Sequence, residues 1–282
     1  MRLVDDIIER ALAEDIGTGD LTTLCCIPAE STTEGFIYAK EKGIVAGIPV
    51  AARVFSTLSP EITFTAERND GQQVAPGDII ASVSGPARPI LTGERVALNL
   101  LQRMSGIATR TALISKILKG CRTEVVDTRK TTPGLRILDK YSVRAGGGKN
   151  HRFGLYDGIL IKDNHIKVAG GIRQAIELAR GNAPHTIKVE VEAENLEGVA
   201  EAVAAGADII MLDNMDRDLV KSAVELIGGR AIVEVSGGVT EETIAEYAIP
   251  GVDFISVGAL THSVEALDIS LDLVTIKTPA KS

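Results

Sequence analysis

Six short segments constrain this chain more than any other feature. They are TEVVDT (123–128), GILIKD (158–163), IKVEVE (187–192), DIIMLD (208–213), AIVEVS (231–236) and FISVG (254–258). The last four recur at intervals of about two dozen residues or slightly less, with helical patterns such as GIRQAIELAR and LEGVAEAVAAG among them. Strands that alternate with helices at this spacing make βα units and a parallel sheet. In IKVEVE, Lys188, Glu190 and Glu192 alternate with Ile187, Val189 and Val191. Side chains two apart share one face of a strand. A barrel wrapped by helices turns the apolar face outward, so the charged face points inward, where charges must be paired or bind something. Each segment also ends in polar chemistry: Asp127 then Arg129 and Lys130, Lys162 with Asp163, Glu192, Asp213, Glu234 with Ser236, and Gly258. In (β/α) barrels the active site lies at the C-terminal strand ends, which makes these residues the candidate site.

The chain upstream reads differently. Residues 1–16 carry apolar Leu3, Ile7, Ile8, Leu12 and Ile16 near helical spacing. From about 34 to 90 short strands alternate with turns such as Asn69-Asp70-Gly71 and Pro76-Gly77-Asp78, the pattern of a small β-rich or α+β module. Within it, DGQQVAPGDIIASVSG reads as a hairpin. Residues 94–118 are the most strongly helical stretch, apolar on more than one side, with Glu94, Arg95 and Arg103 on it and Gly106 as the expected break or kink.

Between Arg129 and Arg152 the chain concentrates Arg129, Lys130, Arg136, Lys140, Arg144, Lys149 and Arg152, with His151 beside them and Asp139 as the one acid, although the formal net charge is -8. A cationic island in an acidic chain points to a specific anionic ligand, and arginine suits carboxylates and phosphates through its paired donors. The same net charge, with 3% aromatics and no Trp, argues against nucleic acid as the partner. No apolar run is long enough for a bilayer. The acidic, amphipathic opening is unlike a signal peptide, and Cys25, Cys26 and Cys121 show no metal or disulfide spacing. A cytoplasmic protein without a membrane partner is the expectation.

Ser236-Gly237-Gly238 and the Gly258 turn follow successive late strands, where barrels bind phosphate on backbone N–H groups. Two ordinary strand-to-helix turns would look the same. Glu192 and Asp213 end neighbouring strands and suit Mg²⁺ or ribose hydroxyls, or else internal salt bridges with Lys162 or Lys188. No Ser/His/Asp or Cys/His arrangement is apparent, no GxGxxG follows a strand, and GGGKN lacks P-loop spacing. Many cations, two or three carboxylates and a phosphate cradle suit a substrate with carboxylates joined to a phosphorylated sugar.

Longer motifs extend over nearly the whole chain: AEDIGTGDLTT (13–23), ERVALNLLQRMSGIAT (94–109), DTRKTTPGLR (127–136), KYSVRAGGGKNHRFGLYDGILIKDNH (140–165), VEVE (189–192), IIMLDN (209–214), EVSGG (234–238) and GVDFISVGALTHS (251–263). In these the chain resembles the quinolinate phosphoribosyltransferases, the decarboxylating nicotinate-nucleotide pyrophosphorylases of NAD biosynthesis. The resemblance implies an α/β protein of the type II phosphoribosyltransferase class. An N-terminal α/β sandwich (1–110) would join an open, incomplete (β/α) barrel (111–265), and a C-terminal tail (266–282) would pack back on the first domain. It implies transfer from 5-phosphoribosyl-1-pyrophosphate (PRPP) to quinolinate with loss of CO₂, and a requirement for Mg²⁺. It further implies a homodimer, with a hexamer as the larger assembly it allows, whose site takes Glu94 and Arg95 from the partner. By motif position Arg95, Arg129, His151, Arg152 and Lys162 would bind quinolinate. Lys130, Glu192, Asp213, Ser236, Gly237 and Gly258 would bind PRPP, Glu192 and Asp213 would take the metal, and Lys130, Glu192 and Asp213 would be catalytic. The rivals are a paralogue on the same scaffold, a nicotinate phosphoribosyltransferase and a non-catalytic phosphate-metabolite sensor.

Overall fold

The computed structural model describes residues 2–277. In chain order its elements are α1 (Arg2–Ile16), α2 (Leu21–Cys26), β1 (Thr32–Ala39), β2 (Gly43–Ile44), α3 (Ile48–Leu58), β3 (Thr63–Ala66), β4 (Gln73–Val74), β5 (Ile79–Pro86) and α4 (Ala87–Ile117). There follow β6 (Glu124–Val126), α5 (Arg136–Ala145), β7 (Ile159–Ile161), α6 (Asp163–Ala169), α7 (Ile172–Asn182), β8 (Val189–Ala193), α8 (Leu196–Ala204), β9 (Ile209–Asp213) and α9 (Arg217–Ile227). The chain ends with β10 (Ile232–Ser236), α10 (Ile244–Tyr247), β11 (Phe254–Ser256), α11 (Ala259–His262) and β12 (Ile269–Lys277). Two compact units share these elements. One takes the chain up to Ala112, Thr132–Gly147 and the chain from Ser263; the other takes Leu113–Thr131 and Gly148–His262.

The first unit is built on a four-stranded antiparallel sheet in the order β12, β1, β5, β3. Its apolar core draws Ile8 and Leu12 from α1, Ile37 from β1, Val54 and Phe55 from α3, Leu101 and Met104 from α4, and Leu138 from α5. The helix α3 interrupts the expected run of short strands. Its residues Ile48, Val50, Ala51, Val54 and Phe55 are buried at helical spacing, with Pro49 in the first turn. The expected hairpin over 70–85 does not form. β4 pairs with β2 rather than β5, because the chain turns out of one sheet and into the other through Pro76-Gly77-Asp78, where the Asp78 carboxylate accepts from the Ala75 N–H. The helix α4 is also unbroken at Gly106. A Cβ there would stand 1.9 Å from the Glu265 carbonyl oxygen, so this glycine admits a neighbouring backbone to the helix surface and does not end the helix. In the tail, β12 pairs with β1; residues 278–282 lie outside the described residues.

The second unit holds six parallel strands in the order β6, β11, β10, β9, β8, β7. The first and last of them in sequence, β6 and β11, are paired, and among the described residues no ladder joins β6 to β7. That is the cyclic order of a (β/α) barrel opened between its first and second strands. Val189, Val191, Ile210, Leu212, Val233 and Val235 are buried. On the opposite face Glu192, Met211 and Glu234 stand in register, and Asp213 stands opposite Ser236. This is the division of faces read from IKVEVE. Among the described residues no helix is long and apolar enough to cross a membrane.

The cationic island is divided by the fold. Arg136, Lys140 and Arg144 lie on α5, in the first unit, and Lys140 is 2% exposed. The physical reason is that 136–145 is an amphipathic helix whose Leu138 and Val143 are buried. Its acid, Asp139, is fully buried and grips Arg103 of α4 with both oxygens, at 3.0 Å each, while accepting the Thr132 N–H at 3.1 Å. These cations belong to the first unit's architecture rather than to one continuous anion site.

Candidate active site

A cavity of about 680 Å³ opens among the strand ends of the second unit. Arg129, Lys130, His151, Arg152 and Lys162 line it, and so do Glu192, Asp213, Ser236 and Gly237. Gly258 borders it through Lys130: a Cβ at Gly258 would stand 3.0 Å from Lys130 Cδ. Arg95 is exposed and Glu94 half-buried, both on α4 of the first unit, and neither lines this cavity. Another cavity, of about 670 Å³ in the first unit, is lined by apolar groups such as Val50, Ile62, Phe64 and Met104 and has no comparable convergence of charge.

The cationic side of the site is set by the loop after β6 and by residues 149–152. Asp127, fully buried, accepts from the His151 N–H at 2.9 Å and from the Asn150 side-chain amide, so it fixes the loop that carries His151 and Arg152. Arg152 donates to the Gly158 carbonyl at 3.0 Å. Burial and the neighbouring Arg129 hold the Arg152 guanidinium below its usual value, against the opposing pull of Glu190, Asp157 and Glu192. Two guanidiniums close enough to repel, partly desolvated in a cavity, form a site that an anion stabilises.

The acidic side comes from the adjacent ends of β8 and β9. Glu192 is ion-paired with Lys162. The salt bridge weighed at the sequence level thus forms with Lys162. Asp213 accepts from the Asn214 side-chain amide at 2.7 Å. Asn214 has a left-handed backbone, φ 54°, and its N–H donates to the Ser236 carbonyl. This tucks the Asn214 side chain against the next loop. Gly237, at φ +95°, would bring a Cβ to 2.2 Å from Asn214 Oδ1, so only glycine fits. Ser236, Gly237 and Gly238 therefore present backbone to the cavity with no side chain beyond the serine hydroxyl.

Beneath the cavity lies a cluster that sequence reasoning did not assemble. His151 Nε2 lies 3.0 Å from a Glu190 oxygen and 3.7 Å from a Glu234 oxygen. Both acids are buried, 4% and 3% exposed. One oxygen of each, Oε1, has no hydrogen-bond partner. Burial, and then the charge of Glu190, push the Glu234 carboxyl up to about 7, with His151 opposing. The alternation in β8 flagged Glu190, but its meeting with Glu234 requires the barrel register. His165, which ends the KDNH motif, is structural: its Nδ1 accepts the Lys162 N–H at 2.9 Å and caps α6.

Residues 20–105 match the family described as quinolinate phosphoribosyl transferase, N-terminal domain, and residues 107–272 match its C-terminal domain. The chain belongs to the quinolinate phosphoribosyltransferase family. A Bacillus subtilis protein named probable nicotinate-nucleotide pyrophosphorylase (carboxylating) is 48% identical, over 95% of this chain and 92% of its own. The chloroplastic nicotinate-nucleotide pyrophosphorylase of Arabidopsis thaliana is 46% identical, over 95% and 82%. Among solved structures, NadC from Streptococcus pyogenes superposes with a TM-score of 0.92 at 44% identity, covering 96% of this chain and 97% of its own. The nicotinate-nucleotide pyrophosphorylase of Francisella tularensis gives 0.93 at 41%, over 97% and 96%. The quinolinate phosphoribosyltransferase fold accordingly holds for both units.

Proposed function

We propose that this chain transfers the phosphoribosyl group of PRPP to the ring nitrogen of quinolinate and releases CO₂, giving nicotinate mononucleotide and pyrophosphate. The observation that carries this reading is the cavity's division: paired guanidiniums on one side, strand-end carboxylates and a glycine-rich backbone loop on the other. The names of the B. subtilis and A. thaliana relatives, both nicotinate-nucleotide pyrophosphorylases, support it. A simple anion carrier gains nothing from Glu192 and Asp213 near phosphates.

Arg129, Arg152 and Lys162, with His151 beside them, are assigned to the two quinolinate carboxylates. Ser236, Gly237 and Gly258 are assigned to the 5′-phosphate, and Lys130 to the pyrophosphate. Lys162 and Glu192 are ion-paired. When a substrate carboxylate takes Lys162, Glu192 is released toward the ribose hydroxyls, so both sequence-level roles for Glu192 apply in turn. Departure of pyrophosphate leaves positive charge on the sugar, which Glu192 and Asp213 stabilise while the site holds the ring nitrogen in line. No covalent nucleophile is required.

Glu192 and Asp213 also offer hard oxygen donors on adjacent strands, a donor set that fits a divalent cation retaining waters and substrate phosphates. They would hold Mg²⁺, which supplies positive charge to the departing pyrophosphate. Arg95 is exposed on α4 and outside the cavity lining. Its assignment to a quinolinate carboxylate therefore calls for a homodimer in which Glu94 and Arg95 complete the partner's site, with further assembly as far as a hexamer. The cytoplasm is the assigned compartment.

The test is nicotinate mononucleotide formation from quinolinate, PRPP and Mg²⁺, with nicotinate in parallel. Turnover of quinolinate alone is expected. Arg152→Ala should raise the quinolinate KM by roughly two orders of magnitude, as loss of a charge-assisted carboxylate contact implies, and a near-normal KM would remove the clamp assignment.

A further inference from the structure

The reaction proposed above leaves one requirement that no assigned residue meets. When the bond between the ring carbon and its carboxylate breaks, the electron pair stays on that carbon and CO₂ departs. The adjacent ring nitrogen, cationic after transfer, stabilises the pair, but a proton must still reach the carbon to give the product. Its donor must line the substrate cavity, carry a releasable proton and remain uncharged beside a dianionic substrate.

Among the cavity's side chains few satisfy this. Arg129 and Arg152 do not release protons. Lys162 is a cation held by carboxylates throughout, by Glu192 here and by the substrate in the assignment above, and Glu192 and Asp213 face the sugar end. Lys130 lies against Gly258, on the phosphate side. Asp163 is tied to Lys167 at 2.9 Å and Glu194 is exposed. His151 is excluded by its hydrogen bonds. Its Nδ1 accepts the Arg152 N–H at 2.7 Å, so the ring proton is on Nε2, which points at Glu190 and Glu234. The same geometry removes a metal from the His151, Glu190 and Glu234 cluster. A metal-bound histidine donates from its second nitrogen, whereas this one accepts there and has no lone pair left at Nε2.

We propose that Glu234 is the acid that protonates the ring carbon from which CO₂ leaves, with Glu190 and His151 as its positioning residues. Glu234 is buried and lines the substrate cavity, and its Oε1 makes no hydrogen bond, with His151 Nε2 3.7 Å away. Glu190 lies across His151 from it, and its charge, with burial, favours the protonated Glu234 carboxyl near neutral pH. In the step, the bond from the ring carbon to the departing carboxylate breaks as the Glu234 O–H bond breaks and the new C–H bond forms, so CO₂ leaves, the electron pair of the broken bond takes up the proton, and Glu234 is left as the carboxylate. The proton is restored by water from another direction. Glu234 also lines a separate cavity of about 460 Å³, together with His151, Lys188, Glu190 and Phe254. Lys188 immediately precedes β8, so this cavity reaches the opposite, N-terminal ends of the strands. Recharging therefore does not require the product to leave first.

The experiment is a rapid-quench turnover of the full-length protein with Mg²⁺, PRPP and quinolinate labelled in the carboxylate that is lost, counting pyrophosphate and CO₂ separately. Wild type should release them in step. In Glu234→Gln, pyrophosphate release should stay within roughly tenfold while CO₂ release falls roughly 10²–10⁴-fold, the usual contribution of a general acid, and the phosphoribosylated dicarboxylate should accumulate. A structural defect would slow both products together. Glu234→Asp keeps an acid but shortens it, so its CO₂ release should lag pyrophosphate by less; this variant carries the test if Glu234→Gln does not fold. Wild-type turnover with both products still in step in the variants, at any rate, overturns the acid assignment and leaves the reaction standing. Absence of pyrophosphate release from wild type overturns the reaction on which it rests.

Discussion

Burying Glu234 beside Glu190 should carry a measurable stability cost, and its sign follows from the direction of the shift. The carboxyl rises from its ordinary 4.5 to about 7 because burial and the Glu190 charge oppose ionisation. The native state therefore keeps a proton that the unfolded chain has lost between those values. The associated stability is full below about pH 4.5 and is lost as pH rises toward 7. At about 1.4 kcal/mol per pH unit the gap amounts to about 3 kcal/mol. Glu234→Gln places a neutral group of the same shape at the site and has nothing to ionise. At pH 5 the variant and wild type should differ by less than about 1 kcal/mol. At pH 8 the variant should be the more stable by about 3 kcal/mol, an advantage that opens between those two values. Urea unfolding followed by circular dichroism on both proteins at both pH values measures it, since titrating groups away from Glu234 cancel in the difference. An advantage equal at pH 5 and pH 8, or a Gln variant less stable at pH 8, would refute the reasoning that Glu234 is neutral in the fold.

Two further substitutions probe the framework and the phosphate loop. Asp139→Ala removes the carboxylate that accepts from Arg103 and the Thr132 N–H, leaving Arg103 its bond to the Thr132 hydroxyl; it should cost about 3 kcal/mol in urea unfolding, the lower end for one partner of a buried pair because Arg103 keeps some access to water, and a loss below 1 kcal/mol would make the pair incidental. Gly237→Ala must move Asn214 or distort a backbone at φ +95°, so calorimetry should show PRPP affinity reduced roughly tenfold with quinolinate binding kept; unchanged PRPP affinity would place the 5′-phosphate elsewhere.

The parts legible in the sequence were those written in a local period. β8 to β11 declared themselves because they recur at near-equal intervals and end in polar chemistry, and because charged and apolar residues alternate in β8. The structure brings Arg129, Lys130, Lys162, Glu192 and Asp213 to one cavity for the same reason: all sit at or just beyond strand ends. What was illegible depended on long-range pairing. Glu234 reads as one more polar strand residue until the register sets β10 beside β9 and β9 beside β8. Asp127 reads the same way until its carboxylate is seen holding residues 150 and 151. The cationic island misled because charge density along the chain says nothing about which residues a helix turns away, and α5 takes Arg136, Lys140 and Arg144 into the other unit. In the first unit, residues 34–90 read as short strands and turns of a β-rich or α+β module, and α3, which Pro49 opens, was not singled out within it.

A deeply buried acid with an unsatisfied oxygen is a poor choice for stability alone, and apolar side chains would fill the same volume at lower cost. Its place at the floor of the candidate cavity is explained if the site needs a proton donor that is neither cationic nor freely exchanged with the mouth of the pocket. A lysine in that place would hold the departing carboxylate by charge and oppose its loss as neutral CO₂. An ionised carboxylate would repel the substrate. A neutral carboxyl does neither, and burial, reinforced by the Glu190 charge across His151, is what keeps it neutral. The two readings of Glu234→Gln are then coupled: the substitution that removes the pH-dependent penalty should also separate CO₂ release from pyrophosphate release. A variant stabilised at pH 8 with the two products still in step would show that the fold tolerates the acid for a reason other than this chemistry.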